Sequence, residues 1–226
     1  MAAKIIVSYD GTDADDDALA LGGLLSSAGA ELALAYVRHS HEQDEHREEV
    51  ARKEAEALLE AGAKWLGEPD VPRFVVMSPS TPEGLRDLAE REGAEAVVFG
   101  SEYRTTPGHV LPGTSARRLL EGGPLAVAIA PAGLQGQRDL KIETIGAVDE
   151  PGDPSARETA ESVARSLGAT VSPRPGDGKA DLLVVGSRPG IVTGRVTISA
   201  AAEYLIETVR CPVLVVPRGR SVRFHA

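Results

Sequence analysis

Val97-Val-Phe-Gly-Ser101 returns 86 residues later as Leu183-Val-Val-Gly-Ser187, and this recurrence decides how the chain is read. At the same offset Gly108-His-Val110 answers to Gly194-Arg-Val196, and Leu119-Leu-Glu121 to Leu205-Ile-Glu207. Pro124-Leu-Ala-Val-Ala-Ile-Ala-Pro131 resembles Pro212-Val-Leu-Val-Val-Pro217 after a slip of two residues, and Ile6-Val-Ser-Tyr-Asp10 resembles Ile145-Gly-Ala-Val-Asp149. The matching pieces keep their order, so an internal repeat explains them better than chance likeness between two strands.

Outward from Val97, short β-branched runs alternate with segments of helical spacing. Lys4 to Tyr9 reads as a strand, Asp13 to Ser27 as a helix with Ala18, Leu19, Leu21, Leu24 and Leu25 on one stripe. Leu32 to Val37 is the second strand, Asp44 to Leu66 a long amphipathic helix, and Arg73 to Met77 the third strand. Thr81-Pro-Glu-Gly opens a helix that runs to Glu92, with Pro82 suited to its first turn. Ala96 to Gly100 is strand four, Thr114 to Glu121 the fourth helix and Leu125 to Ala130 strand five. Such alternation predicts a parallel sheet with helical crossovers, an α/β fold.

Ala132 to Asp139 is poor in apolar residues and precedes a fresh apolar run from Lys141 to Val148, which predicts a boundary between a first domain, 1–132, and a second, 140–219. The second copy is shorter. Between Ala169-Thr-Val171 and Asp181-Leu-Leu-Val-Val185 it has only Ser172 to Ala180, where the first copy has a helix, a strand and a helix. If the strand order is 3-2-1-4-5, the missing strand is an outer one, and its loss leaves the sheet core uncut.

Composition narrows the function. Formal net charge of -10 and a pI near 5.0 argue against nucleic acid or anionic membrane as partner, because both repel such a surface at long range. The start Met1-Ala-Ala-Lys4 turns polar too quickly for a signal peptide, and no apolar run approaches about 18 residues, so a cytoplasmic protein is expected. The single cysteine, Cys211, lies in the apolar run Cys-Pro-Val-Leu-Val-Val and reads as a packed thiol.

In an open parallel sheet ligands collect beyond the carboxyl ends of the strands where the order reverses, here strands one and four, which end at Asp10 and Gly100. Gly100-Ser101, Gly108 and Gly113-Thr114-Ser115 surround that point. Glycine lets backbone approach a ligand, and free N–H groups at a helix start attract an anion. Ser101, Thr114 and Ser115 offer hydroxyl donors, Arg104 a charge, and Asp10 an acceptor for a ribose hydroxyl or metal-bound water. Ordinary loop and helix-cap chemistry uses the same residue types, so both readings stand.

Gly-Ser followed by Gly, then Gly-Thr-Ser, a helix and a Pro-bounded strand resembles the universal stress protein family, and Tyr9-Asp10-Gly11-Thr12 agrees with it. The resemblance covers nearly all of copy one and about two-thirds of copy two. It implies a flavodoxin-like, adenine nucleotide alpha-hydrolase-like fold in each copy, with strand order 3-2-1-4-5 in the first and the edge strand missing in the second. It further implies ATP or AMP, with Mg2+, at the switch point: Asp10 and Val37 flanking adenosine, and Gly100, Gly113, Thr114 and Ser115 holding phosphates. One position departs from the family's pattern: Tyr103 stands where a glycine is expected three residues after Gly100. In copy two Ser199-Ala200-Ala201 replaces Gly113-Thr114-Ser115, which implies a weak or absent second site. The resemblance also implies that the copies pair through Leu125–Ala130 and Val213–Val216, and is compatible with a further homodimer.

Three functions follow for test. The first is a stress-response regulator in which copy one binds adenine nucleotide and alters contact with an unknown protein partner. The second is a nucleotide-free structural or interaction protein. The third is a slow ATP hydrolase, for which the sequence places no catalytic residue: it has no Walker pattern, nucleophile elbow or dinucleotide fingerprint. His39, His41 and His46 read as a solvated loop, the acidic run Asp13 to Asp17 as a complement to a helix N-terminus, and neither as a metal site.

Overall fold

The computed structural model describes residues 2–39, 44–137, 140–173 and 178–225. The alternation of the sequence is realised as β1 (Lys4–Ser8), α1 (Asp13–Ser27), β2 (Glu31–Arg38), α2 (Glu45–Leu66), β3 (Arg73–Met77), α3 (Thr81–Glu92), β4 (Ala96–Phe99), α4 (Thr114–Leu120) and β5 (Ala126–Ile129). A 3-10 turn at Leu134–Gly136 leads to β6 (Thr144–Val148), α5 (Ser155–Leu167), β7 (Thr170–Ser172), β8 (Leu182–Val185), α6 (Ala200–Thr208) and β9 (Val213–Val215).

One sheet of nine strands results, in the order β3-β2-β1-β4-β5-β9-β8-β6-β7. Its first five strands are parallel in the 3-2-1-4-5 order, and the remaining four, β9-β8-β6-β7, run parallel to one another with no counterpart of β3 among the described residues. The two halves meet antiparallel at β5 and β9, where Val127 lies opposite Val215 and Ile129 opposite Val213. The carboxyl ends of β1 and β4 therefore point one way along the sheet and those of β6 and β8 the other.

Side chains alternate between faces with the period of two that a pleat imposes. Ile5, Val7, Ala96, Val98, Ala126, Ala128, Leu182, Val184 and Leu214 face α1, α2 and α5. Ile6, Val97, Phe99, Val127, Ile129, Leu183, Val185 and Val213 face α3, α4 and α6. Because both faces are covered, these strands are apolar throughout rather than alternating with polar residues. Cys211 sits in the second cluster and is buried, which pushes its thiol up to about 12.

The second half starts later than its apolar run suggests. Lys141 to Glu143 lie outside β6: the paired register begins at Thr144 with Thr170, where one Asp181 carboxylate oxygen accepts the amides of Glu143 and Thr144 at 2.9 and 2.8 Å. Beyond β9 the chain continues as a strap between the halves. Val222 N–H donates to Thr159 Oγ1 (3.0 Å), Phe224 N–H to Ser162 Oγ (2.9 Å), and Ala3 N–H to the Arg223 carbonyl (3.1 Å).

Candidate functional site

The chain leaves β1 at Tyr9-Asp10 and β4 at Gly100-Ser101, and the helices that follow, α1 and α4, pack on opposite faces. The crest above β1 and β4 is thus the switch point of the first half. It gathers Asp10, Gly100 and the loop from Ser101 to Gly113.

Gly100 owes its identity to packing. A Cβ there would overlap the Ala14 carbonyl in the first turn of α1, so glycine is what lets that helix start beside β4. Ser101 is likewise committed to the protein. It is 3% exposed, its hydroxyl donates to the Ala130 carbonyl at 2.7 Å, and it accepts the Leu111 amide at 3.1 Å. The hydroxyl, expected from the sequence to donate to phosphate, forms a latch that ties the end of β4 to the end of β5 and to the returning loop.

The second half carries the same latch at the 86-residue offset. Ser187, fully buried, donates to the Val216 carbonyl at 2.8 Å and accepts the Thr197 amide at 3.3 Å. Gly108 repeats the pattern: with φ of 82° its amide reaches the Ala132 carbonyl at 2.7 Å, and Gly194, φ 80°, reaches the Arg218 carbonyl at 2.7 Å. The amide of Gly108 is spent on the turn rather than offered to a ligand.

Tyr103 points away from the body of this loop. It is 75% exposed, with the Arg104 guanidinium stacked on its ring at 4.9 Å from the centroid. Arg104 is exposed beside it, so its charge stands at the loop tip. Thr105 Oγ1, which the sequence did not single out, is buried without a hydrogen-bond partner in this loop.

Gly113, Thr114 and Ser115 are different. Gly113 is the N-cap of α4 with φ of -71°, and a Cβ there would meet nothing within 4 Å. No side chain caps the helix, and neither the Thr114 nor the Ser115 hydroxyl bonds to protein among the described residues. In the second half Ser199 caps α6 by accepting the Ala202 amide at 3.2 Å, which removes one of the donors left free at the start of α4.

Asp10 is exposed, and its amide donates to Asp15 Oδ2 at 3.2 Å. The same oxygen accepts the Thr12 amide (3.1 Å) and the Thr12 hydroxyl (2.7 Å), closing a capping box on α1. Burial and the neighbouring Asp10 carboxyl push Asp15 up to about 7. A threonine followed three residues later by a carboxylate was the signal in the sequence for this arrangement. Asp149, which stands where Asp10 does, is instead locked to Arg157, its Oδ1 accepting the backbone amide and its Oδ2 facing Nε, both at 2.9 Å.

Val37 turns its side chain toward α3, where a Cβ on Gly84 would come within 3.0 Å of it. Its backbone faces the other way along the sheet: the Ala35 carbonyl accepts the Tyr9 amide at 2.9 Å, and Val37, two residues on, presents its edge to the same side, beyond the last β1–β2 pair.

The acidic run of α1 divides its labour. Asp17 is buried and accepts the Gly133 and Gln135 amides, each at 2.8 Å, fastening the segment after β5; Asp153 does the same for Gly219 at 3.0 Å. His39 Nδ1 lies 3.3 Å from the Ser78 carbonyl and Nε2 3.4 Å from the Thr81 hydroxyl. His46 lies in α2, and His41 falls outside the described residues. Among the described residues no three His, Cys, Asp or Glu side chains could hold a metal ion. Two cavities, of about 560 and 480 Å³, lie away from the crest, and neither is lined by Asp10, Val37, Gly100 or Thr114.

Residues 1–131 match the family model described as the universal stress protein family. No curated protein matches the sequence. Among solved structures, a universal stress protein from Archaeoglobus fulgidus DSM 4304 aligns over 96% of this chain and 98% of its own with a TM-score of 0.58 at 16% identity. A functionally unknown protein from Pseudomonas aeruginosa PAO1 aligns over 96% and 93% with a TM-score of 0.58 at 15% identity. At these identities the likeness is one of fold. Among the described residues no helix is long and apolar enough to cross a membrane.

Proposed function

We propose, for a chain that belongs to the universal stress protein family, that the first half binds ATP or AMP at the β1–β4 crest and the second half does not. The protein then acts in the cytoplasm as a stress-response regulator whose contact with a protein partner depends on the bound nucleotide. In this reading residues 1–132 and 140–219 are tandem copies, the second degenerate. The observation that carries it is the contrast between the two crests. In the first, Gly113 leaves open space in front of uncommitted amides and the Thr114 and Ser115 hydroxyls, with Asp10 and the backbone of Val37 across the crest. In the second, Ser199 caps its helix and Arg157 occupies Asp149.

Phosphates would lie at the start of α4 and the adenosine between Asp10 and Val37. Asp10 accepts from a ribose hydroxyl or orients a water on Mg2+. A ligand that binds only the folded chain raises stability by RT ln(1 + [L]/Kd). Titration with ATP and Mg2+ should therefore raise the melting temperature of the intact protein progressively, and Gly113→Val should abolish the rise; a flat titration at millimolar ligand rejects the proposal.

The commitment of the Ser101 hydroxyl and the Gly108 amide to internal bonds favours a second reading, a nucleotide-free interaction scaffold. Nucleotide in an acid extract of the purified protein would dismiss that alternative.

A further inference from the structure

The foot of the first half, at the opposite end of β1 and β2 from the crest, holds a cavity of about 560 Å³. Its size is within the range of about 300–1,000 Å³ typical of small-molecule sites. Ile6, Leu32, Ala33, Phe74 and Ala94 give it an apolar floor, and the turn Glu68–Pro72 and the end of α3 form its walls.

Its rim is acidic. Glu31, Glu68, Asp70 and Glu92 line it against Lys4, with the Arg91 guanidinium beside them over Phe74. Glu92 is paired with Arg91 at 3.0 Å, and among the described residues Lys4 Nζ reaches only the Glu92 backbone carbonyl, at 3.4 Å. Glu68 accepts the Ser26 hydroxyl at 3.4 Å, and Glu31, Glu68 and Asp70 have no ion-pair partner among the described residues. A second source of negative potential is independent of these side chains: α2 ends at Leu66 and α3 at Glu92, so the carbonyl ends of two helix dipoles flank the cavity. One face of the Phe74 ring carries the Arg91 guanidinium at 5.9 Å from its centroid, which leaves the rest of the floor to a ligand.

The carboxylates are dispersed around the rim, and no three of them come together as a metal-holding group. Separated charges over an apolar floor match a ligand whose own charges are separated by methylenes. We propose that this cavity binds an aliphatic polyamine, its ammonium groups paired with Glu31, Glu68 and Asp70 and its methylene chain lying on Ile6, Ala33 and Ala94.

Calorimetric titration of the full chain with spermidine at low ionic strength tests this without nucleotide present. One saturable site is expected, and Glu31→Gln with Asp70→Asn should weaken it about tenfold or more, the scale of losing charge-assisted contacts. Both residues are exposed, so folding is not at stake. The control Glu158→Gln with Glu161→Gln removes the same charge from exposed positions of α5 and should leave affinity unchanged. Equal weakening by both pairs, or binding that never saturates, would show diffuse attraction to an acidic surface and overturn the proposal.

Discussion

Replacing Ser101 by alanine separates its two assigned roles. The hydroxyl is almost fully buried and serves the Ala130 carbonyl and the Leu111 amide, neither of which has another partner among the described residues. Alanine leaves one buried acceptor and one buried donor unpaired, at about 1–3 kcal/mol each, or about 2–4 kcal/mol together after partial relaxation. With a urea slope of about 2 kcal/mol/M, the unfolding midpoint should fall by about 1–2 M. Ser187→Ala should cost about as much, since its hydroxyl serves Val216 and Thr197 in the same geometry. Far-ultraviolet circular dichroism in urea reads both variants against Thr114→Ala, an exposed position whose loss should shift stability by no more than about 0.5 kcal/mol. An unshifted midpoint for Ser101→Ala together with lost nucleotide affinity would mean that the hydroxyl serves the ligand, and the latch would be refuted.

The two glycines of the crest should respond oppositely. Gly100→Ala forces a methyl onto the Ala14 carbonyl and should destabilise by about 1–3 kcal/mol or more, whereas Gly113→Ala costs less than about 1 kcal/mol in urea yet weakens nucleotide binding by calorimetry. Proton linkage supplies a further test. Because the Asp15 carboxyl is raised from its ordinary 3.8 to about 7 in the folded protein, its stabilising contribution is complete below pH 3.8 and is lost as pH climbs to about 7. Asp16 and Asp17, also raised, act in the same sense, while Asp153, held low by Ser155 and Gly219 against its burial, loses its contribution as the pH falls. Asp15→Asn should therefore flatten the decline of the urea midpoint between pH 4 and pH 7, and an unchanged slope would rule out the assignment to Asp15.

The fold was legible where pattern is local. Alternating apolar runs mark β1 to β5 in nearly their observed bounds, and the 86-residue offset sets Ser187 and Gly194 in register with Ser101 and Gly108. The site was less legible, because a motif names residue types and not their partners. Ser101 looked like a phosphate donor, yet its acceptor lies 29 residues away at Ala130, a distance no window of sequence spans. Gly100 looked like room for a ligand, whereas the atom needing that room belongs to Ala14. Lys141 to Glu143 read as strand, whereas the register starts at Thr144, beside a carboxylate from Asp181 that lies 37 residues on.

The antiparallel seam of β5 and β9 lies within a single polypeptide. Dilution cannot part the halves, since each is tethered to the other at an effective concentration set by the connection and not by the solution. A pair of identical subunits must carry every substitution twice, so it cannot silence one crest and keep the other. Here the seam joins sequences free to diverge: Ser199 caps its helix and Arg157 pairs with Asp149 at one end, while Gly113 stays bare at the other.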